Sequence, residues 1–311
     1  MSGHEGEISP YLVTEKNLPQ QILPYPCKHG EVSIKKKKKK KKKKMMMMMM
    51  MTMLYTRKED DYHENHIITA RRIKEDETLK MLIPYDAELE CKQYVVVYDS
   101  NTSSLSEKGP FLDFALLLWK TGSKYKVKIL KGGYEDFSAH YPFLRSKKIM
   151  FTQRELDTLQ LYPYEIIPKK LYLSKNSLAS QPYVIKDLKL TAFLNCTEDV
   201  LPMPQIQHVY HVPETDSDTT NLYKYFQECC EFIDVNETIL AFSVLGISRS
   251  TTILVAYIMY SRKVSLGEAY NFIQKCCYFI RPNRNFIHQL SAWEGHLFNG
   301  TVKTNIEDPY F

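Results

Sequence analysis

The sequence contains no Cys-x-x-Cys pair and no Cys/His grouping with metal-ligand spacing. That excludes zinc-ribbon and dithiol redox chemistry as first expectations, so no metal and no cofactor is expected. No apolar run is long enough to cross a bilayer, and the seven methionines from Met45 to Met51 fall far short of the roughly 20 residues a spanning helix needs. A secretory leader is missing, and arginine is absent before Arg57 while Glu5, Glu7 and Glu15 are present, which argues against a transit peptide. The cysteines are odd in number, seven, and include the adjacent pairs Cys229/Cys230 and Cys276/Cys277, which cannot easily bridge to each other. Reduced thiols in an intracellular protein are expected, with the cytoplasm ahead of the mitochondrion or nucleus.

A true excess of positive charge is lacking too. The net charge of +6 invites a nucleic-acid or anionic-lipid reading, but ten of the 42 Lys and Arg residues form one run, Lys35 to Lys44. The 32 that remain face 36 acidic residues, so the basic balance belongs to a tail and nucleic-acid binding by the folded part is not expected. Like charges at successive positions repel and bury nothing, so residues 1–53 read as a disordered, low-complexity tail.

What remains is long enough for two domains, at 25% charged and 44% hydrophobic residues. In the first, residues 54–145, Tyr94 to Tyr98 is a continuous β-branched and aromatic run suited to a strand buried on both faces. An apolar helix is expected from Phe111 to Trp119, then a strand at Val127 to Leu130, a Gly132-Gly133 turn and a short helix from Tyr134 to His140. This β, α, β order implies a parallel sheet. Pro163 and Pro168 place a linker at 146–165. The second domain, 166–299, opens with Leu171 to Leu173 and adds strands at Thr191 to Asn195, Val209 to Val212 and Thr238 to Phe242. Leu222, Tyr225, Phe226, Cys229 and Ile233 share one helical face, and so do Leu266, Ala269, Tyr270, Ile273 and Cys277, so Cys229 and Cys277 read as core thiols. Residues 300–311 read as a tail. The fold class is α/β, two parallel-sheet domains with flanking helices.

The chemistry concentrates in Phe242-Ser243-Val244-Leu245-Gly246-Ile247-Ser248-Arg249-Ser250, between an apolar strand and the apolar helix Ile253 to Tyr260. Strand, small-residue loop and helix build an anion site: successive N–H groups converge, the helix N-terminus adds positive potential, and Gly246 allows a backbone angle other residues resist. Arg249 supplies a planar cationic fork for phosphate oxygens, and Ser248 and Ser250 add hydroxyls.

The loop resembles the signature of the dual-specificity branch of protein tyrosine phosphatases: His-Cys, five residues including Gly, then Arg and Ser or Thr. Gly246, Ser248, Arg249 and Ser250 match, whereas Phe242-Ser243 stand where His-Cys should be. Ile167-Pro168 with Leu171 to Leu173, Thr191 to Asn195, His211 to Asp216, and Arg281-Pro282-Asn283 followed by Phe286, Gln289-Leu290 and Glu294 resemble further landmarks in order. The resemblance implies that Asp216 occupies the general-acid position and that loop residues Ser243 to Ser250 bind phosphate. In that family a cysteine thiolate attacks phosphorus. A serine hydroxyl titrates several units higher, and no base is evident beside Ser243, so the nucleophile is expected to be lost. Phe242 is expected to narrow or tilt the pocket.

Residues 55–144 resemble a rhodanese-like domain of the kind that precedes the catalytic domain in MAP kinase phosphatases, on Tyr62 to Ile67 with Ala70, the strand Tyr94 to Tyr98, and Leu130 to Tyr134 with Phe137. Asp99 stands where active rhodaneses carry their persulfide cysteine, so sulfur transfer is not expected. The resemblance implies MAP kinase docking through a basic cluster. The local candidate, Arg71-Arg72-Ile73-Lys74, falls where a strand belongs and reads first as a solvated strand edge. The combined expectation is a pseudophosphatase that binds phosphoproteins or active phosphatases. The alternatives are a weakly active phosphatase and a MAP kinase anchor. A serine hydrolase reading of Gly246 to Ser250 fails because its nucleophile elbow ends in Gly.

Overall fold

The computed structural model describes residues 11–13, 51–78, 80–83, 89, 94–106, 109–121, 127–150, 155, 159–200 and 208–307. The Lys35 to Lys44 run lies outside them. The chain divides into two compact units, with the division in the described chain between Gln160 and Leu161.

The first unit contains strands β1 (Tyr11–Val13), β2 (Met51–Tyr55), β3 (His66–Ile67), β4 (Arg71–Arg72), β5 (Tyr94–Tyr98), β6 (Lys128–Leu130) and β7 (Arg145–Ser146), with helices α1 (Glu59–Glu64), α2 (Pro110–Thr121) and α3 (Gly133–His140). Its main sheet runs β1-β6-β5-β2-β4 and every neighbouring pair is parallel; β3 and β7 form a separate antiparallel pair. Val95, Val96, Val97 and Tyr98 are buried, as a central strand covered on both faces requires. Phe111, Phe114, Ala115 and Leu118 of α2 pack with Leu54, Val95, Val97 and Ile129 in one core. Pro110 occupies the first helical position, where its missing N–H costs nothing.

Two pieces of the segment read as a disordered tail belong to this sheet, Tyr11–Val13 and Met51–Met53. The first is a short β-prone run. The second continues the apolar Leu54-Tyr55 into a full strand registered against Tyr94 to Tyr98.

The second unit holds β8 (Tyr164–Ile167), β9 (Leu171–Lys175), β10 (Ala192–Asn195), β11 (His208–His211) and β12 (Ile239–Ser243), with helices α4 (Asn176–Ala179), α5 (Pro182–Leu188), α6 (Phe226–Val235), α7 (Arg249–Arg262), α8 (Leu266–Cys276) and α9 (Arg284–Leu297). The sheet order is β11-β10-β12-β9-β8, parallel except for the antiparallel β8 edge. Tyr164 to Ile167, of which the first two were assigned to the linker by the bracketing prolines, therefore form an edge strand. Both prolines sit just outside it, where no ladder donor is needed.

α7 is buried on all sides from Arg249 to Met259, the pattern of a helix enclosed by its neighbours. α8 begins with a capping box between Ser265 and Glu268, and α9 with an Asn283 side chain that accepts from the Phe286 N–H. The fully buried Glu294 accepts from the Leu266 N–H at 3.0 Å and from the Thr304 N–H and hydroxyl at 3.2 and 3.1 Å. The stretch read as a tail from residue 300 is thus tied to the domain at Thr304.

Candidate phosphate-binding site

β12 is the central strand of the second sheet, and its C-terminal end delivers the chain to the N-terminus of α7 through residues 244–248. This is where a parallel α/β sheet opens a crevice. Gly246 has φ +67°, and a Cβ there would lie 2.4 Å from the Ser174 carbonyl oxygen, so the loop presses on main chain and requires glycine. The loop is pinned on its far side by the Arg281 N–H, which donates to the Ile247 carbonyl at 2.7 Å.

Ser243 is 3% exposed. Its hydroxyl lies 2.9 Å from that of Ser250 and accepts from the Gly246 N–H at 3.1 Å. No carboxylate or imidazole among the described residues bonds to it. Nor does any described group accept from the N–H of Val244, Leu245 or Ile247, leaving these donors available to a ligand.

Arg249 is 5% exposed. One guanidinium nitrogen, Nη1, donates to the Glu214 carbonyl at 2.6 Å and lies 3.4 Å from Glu198 Oε1, while its Nε is buried without a hydrogen-bond partner. A buried guanidinium N–H left unpaired is costly. The chemistry of the donor set, one cationic N–H with successive backbone N–H groups at a helix N-terminus, fits a tetrahedral oxyanion.

Asp216 comes to the same place from the segment after β11. Its Oδ1 accepts from the Ser248 hydroxyl at 2.8 Å and from Asn283 Nδ2 at 3.0 Å. The segment is anchored by Glu214, whose carboxylate takes Lys224 Nζ at 2.8 Å and the Tyr225 hydroxyl at 3.0 Å. The Lys224 hydrogen bond foremost, with that from Tyr225, holds the Glu214 carboxyl below its ordinary range. Beside Asp216 and Ser248 a cavity of about 440 Å³ opens, with Asn283, Arg281 and Arg284 in its lining.

The residues assigned to the site from sequence, Ser243 to Ser250 and Asp216, are brought together. Phe242 is not part of its wall. Its ring is fully buried and meets Phe193 edge-on, with centroids 5.6 Å apart, so it neither narrows nor tilts the pocket. Strand alternation is the reason: with Ser243 facing the loop, Phe242 faces the opposite side of β12. Three contributors escaped the sequence reading: Glu198, the Glu214 carbonyl and the Asn283 side chain. Glu198 follows β10 and Glu214 lies two residues before Asp216, but only folding reveals that both converge on Arg249.

None of the described thiols belongs to the loop. Cys196 is buried next to β12, its N–H donating to the Phe242 carbonyl at 2.8 Å, and burial pushes its thiol up to about 12 against a smaller opposing effect of Arg249. Burial also raises Cys229 and Cys230 well beyond the reactive range. Among the described residues, no group of three or more His, Cys, Asp or Glu could hold a metal, and no helix is long and apolar enough to cross a membrane.

In the first unit, Asp99 directly follows β5. Its carboxylate accepts from the Thr102 N–H at 3.0 Å and hydroxyl at 2.6 Å, closing its own turn beside a cavity of about 610 Å³. Arg71 and Arg72 form the edge strand β4, and Arg72 is ion-paired with Glu59 at 3.5 Å and Glu75 at 3.8 Å.

Residues 171–296 match the family model described as dual specificity phosphatase, catalytic domain, and residues 36–140 match the rhodanese-like domain. Human dual specificity protein phosphatase 16 is 29% identical over 268 residues, covering 77% of this chain and 40% of that protein. A probable rhodanese domain-containing dual specificity protein phosphatase of Dictyostelium discoideum is 30% identical over 181 residues, covering 56% and 38%. The chain therefore spans well under half the length of these two relatives. Among solved structures, that of the human tyrosine phosphatase-like serine/threonine/tyrosine-interacting protein is 23% identical, covering 44% of this chain and 98% of that one at a TM-score of 0.39. The chain thus joins a rhodanese-like domain to a domain of the dual-specificity phosphatase catalytic type.

Proposed function

We propose that this chain is a pseudophosphatase: it binds phosphorylated proteins at the loop Ser243 to Ser250 without hydrolysing them. It regulates signalling by competing with active phosphatases for those proteins or by holding a phosphatase partner. The observation that carries this reading is the state of Ser243, a buried hydroxyl already committed to Ser250 and Gly246, with no carboxylate or imidazole among the described residues bonded to it. Phosphoryl transfer to an enzyme nucleophile needs an anion or a base that makes one. The donor set around the loop asks for neither. A neutral Ser243 also removes the charge repulsion that a thiolate would exert on a phosphate dianion, while the unpaired Arg249 Nε and the open loop N–H groups favour an oxyanion.

In the domain's own chemistry Asp216 would protonate the leaving oxygen. Its contacts with Ser248 and Asn283 place its carboxyl at the loop, so recognition and acid catalysis need not have been lost together. Among the described residues of the first domain, Asp99 stands where a rhodanese nucleophile would and is held by Thr102. Docking of MAP kinases through Arg71 to Lys74 draws no support from β4, where Arg72 is spent on two carboxylates.

The test is to restore the nucleophile. Ser243→Cys, alone and with Phe242→His, is assayed on a small aryl phosphate beside the native chain. The expected result is no turnover by the native chain and gained turnover in a restored variant, abolished by Arg249→Ala and reduced by Asp216→Ala. Turnover by the native chain that disappears in Ser243→Ala would refute the proposal.

A further inference from the structure

The segment that follows α9 is fastened more firmly than a solvated tail needs. Glu294 on α9 is fully buried, and two of the three hydrogen bonds its side chain accepts among the described residues come from Thr304, one from the N–H and one from the hydroxyl. The third comes from the Leu266 N–H at the start of α8, where the next N–H, that of Gly267, donates to the same Thr304 hydroxyl at 2.9 Å. Val302 and Thr304 lie against both helices, since a Cβ on Gly295 or Gly267 would already touch their side chains at 3.5 Å. Without Thr304, buried polar groups on α8 and α9 would lose their partners.

Beyond this anchor, Glu307 Oε2 lies 3.5 Å from Nη2 of Arg284. Arg284 lines the cavity of about 440 Å³ beside the candidate phosphate-binding loop, together with Arg281, Asp216 and Ser248. The two partners of the ion pair are 46% and 77% exposed, so the contact adds little stability and is readily exchanged. A firm anchor at Thr304 thus carries a displaceable carboxylate to one of the two cavity cations. We infer that the segment from Thr304 to Glu307 is a regulatory arm, which lowers the affinity of the neighbouring site for a phosphopeptide by laying Glu307 on Arg284. This rests on the oxyanion-binding reading given above. With Glu307 in place, Arg281 and Arg284 face the carboxylates of Asp216 and Glu307; with it displaced, the cations are in excess and the cavity attracts an incoming anion.

The experiment titrates the full chain and its variants with phenyl phosphate by calorimetry in dilute buffer, and follows amide hydrogen exchange over residues 300–307. Glu307→Gln is expected to bind about threefold more tightly than the native chain. That gain should vanish in an Arg284→Gln background, and also at about 1 M salt, where charges are screened within about 3 Å. Thr304→Val keeps the side-chain shape but removes the hydroxyl, so it should speed exchange over 300–307 and reproduce the gain. Should Thr304→Val fail to fold, the Glu307 and Arg284 variants still decide the matter. Equal affinities of the native chain and Glu307→Gln, a gain that survives Arg284→Gln or high salt, or unchanged exchange in a folded Thr304→Val overturns the inference and leaves phosphate binding standing. Heats that saturate in none of these chains overturn the oxyanion reading and this inference with it.

Discussion

The hydroxyls of Ser243 and Ser250 lie 2.9 Å apart, at the two ends of the candidate phosphate-binding loop. Together with the Gly246 N–H donating to Ser243 at 3.1 Å, this contact ties the end of β12 to the first turn of α7. On the proposed reading, Ser243 serves as a strut where a nucleophile would stand. Ser243→Ala should therefore lower stability by about 1–2 kcal/mol, because a buried N–H and a buried hydroxyl lose their partner. Denaturant unfolding of the native and variant chains measures it. An unchanged midpoint would mean that the contact contributes nothing.

Gly246 sets the shape of the same loop. A Cβ there meets the Ser174 carbonyl oxygen at 2.4 Å and its carbon at 2.5 Å, both main-chain atoms that cannot swing aside. Gly246→Ala is expected to cost at least about 1–3 kcal/mol through the forced backbone angle and the displaced contact. It should also weaken phosphate binding, because the loop N–H groups no longer converge. The thermal midpoint and a phosphate titration of the same sample check both parts.

Phe242 belongs to the core and not to the pocket. Phe242→Ala should cost about 3–5 kcal/mol, as a large fully buried ring is removed against Phe193. Phe242→His should cost about 1–3 kcal/mol, since an imidazole in that apolar setting leaves polar nitrogens unsatisfied. Calorimetric unfolding separates these from the smaller effect of Ser243→Cys. A restored variant carrying only Ser243→Cys is thus expected to be the better folded of the two.

Much of this architecture is legible in the sequence because the relevant signals are local. Tyr94 to Tyr98 and Ile239 to Phe242 are apolar runs of strand length, and Gly246, Arg249 and Ser250 fall at fixed offsets from the second of them. Asp216 is legible through its place in an ordered series of landmarks. What is not legible depends on contacts distant in sequence: Glu198 and the Glu214 carbonyl meet Arg249 across 51 and 35 residues. The side to which Phe242 points was misread because its neighbour's role drew it toward the pocket, whereas the period-two alternation of a strand sends it the other way. The edge strand Tyr164 to Ile167 was hidden by the prolines beside it.

Acid should loosen the Asp216 segment through Glu214. Its folded-state carboxyl is held below the ordinary range by Lys224 first, so its contribution is complete above the unfolded value, about 4.3, and is lost as pH falls through the lower folded value. The native chain should thus lose stability faster than Glu214→Gln as pH is lowered beneath about 4.3. Thermal midpoints of both chains from pH 6 to pH 3 measure this, and parallel curves would dissociate Glu214 from the anchoring of the loop.

The central claim is recognition without chemistry, and calorimetric titration of the intact chain with phenyl phosphate, with phenol release read in the same solution, tests it most directly. The account predicts saturable binding that weakens at least about tenfold in Arg249→Ala, a charge-assisted contact being worth that much, and no phenol above the buffer rate. Phenol released by the native chain, or heats that do not saturate, would contradict it.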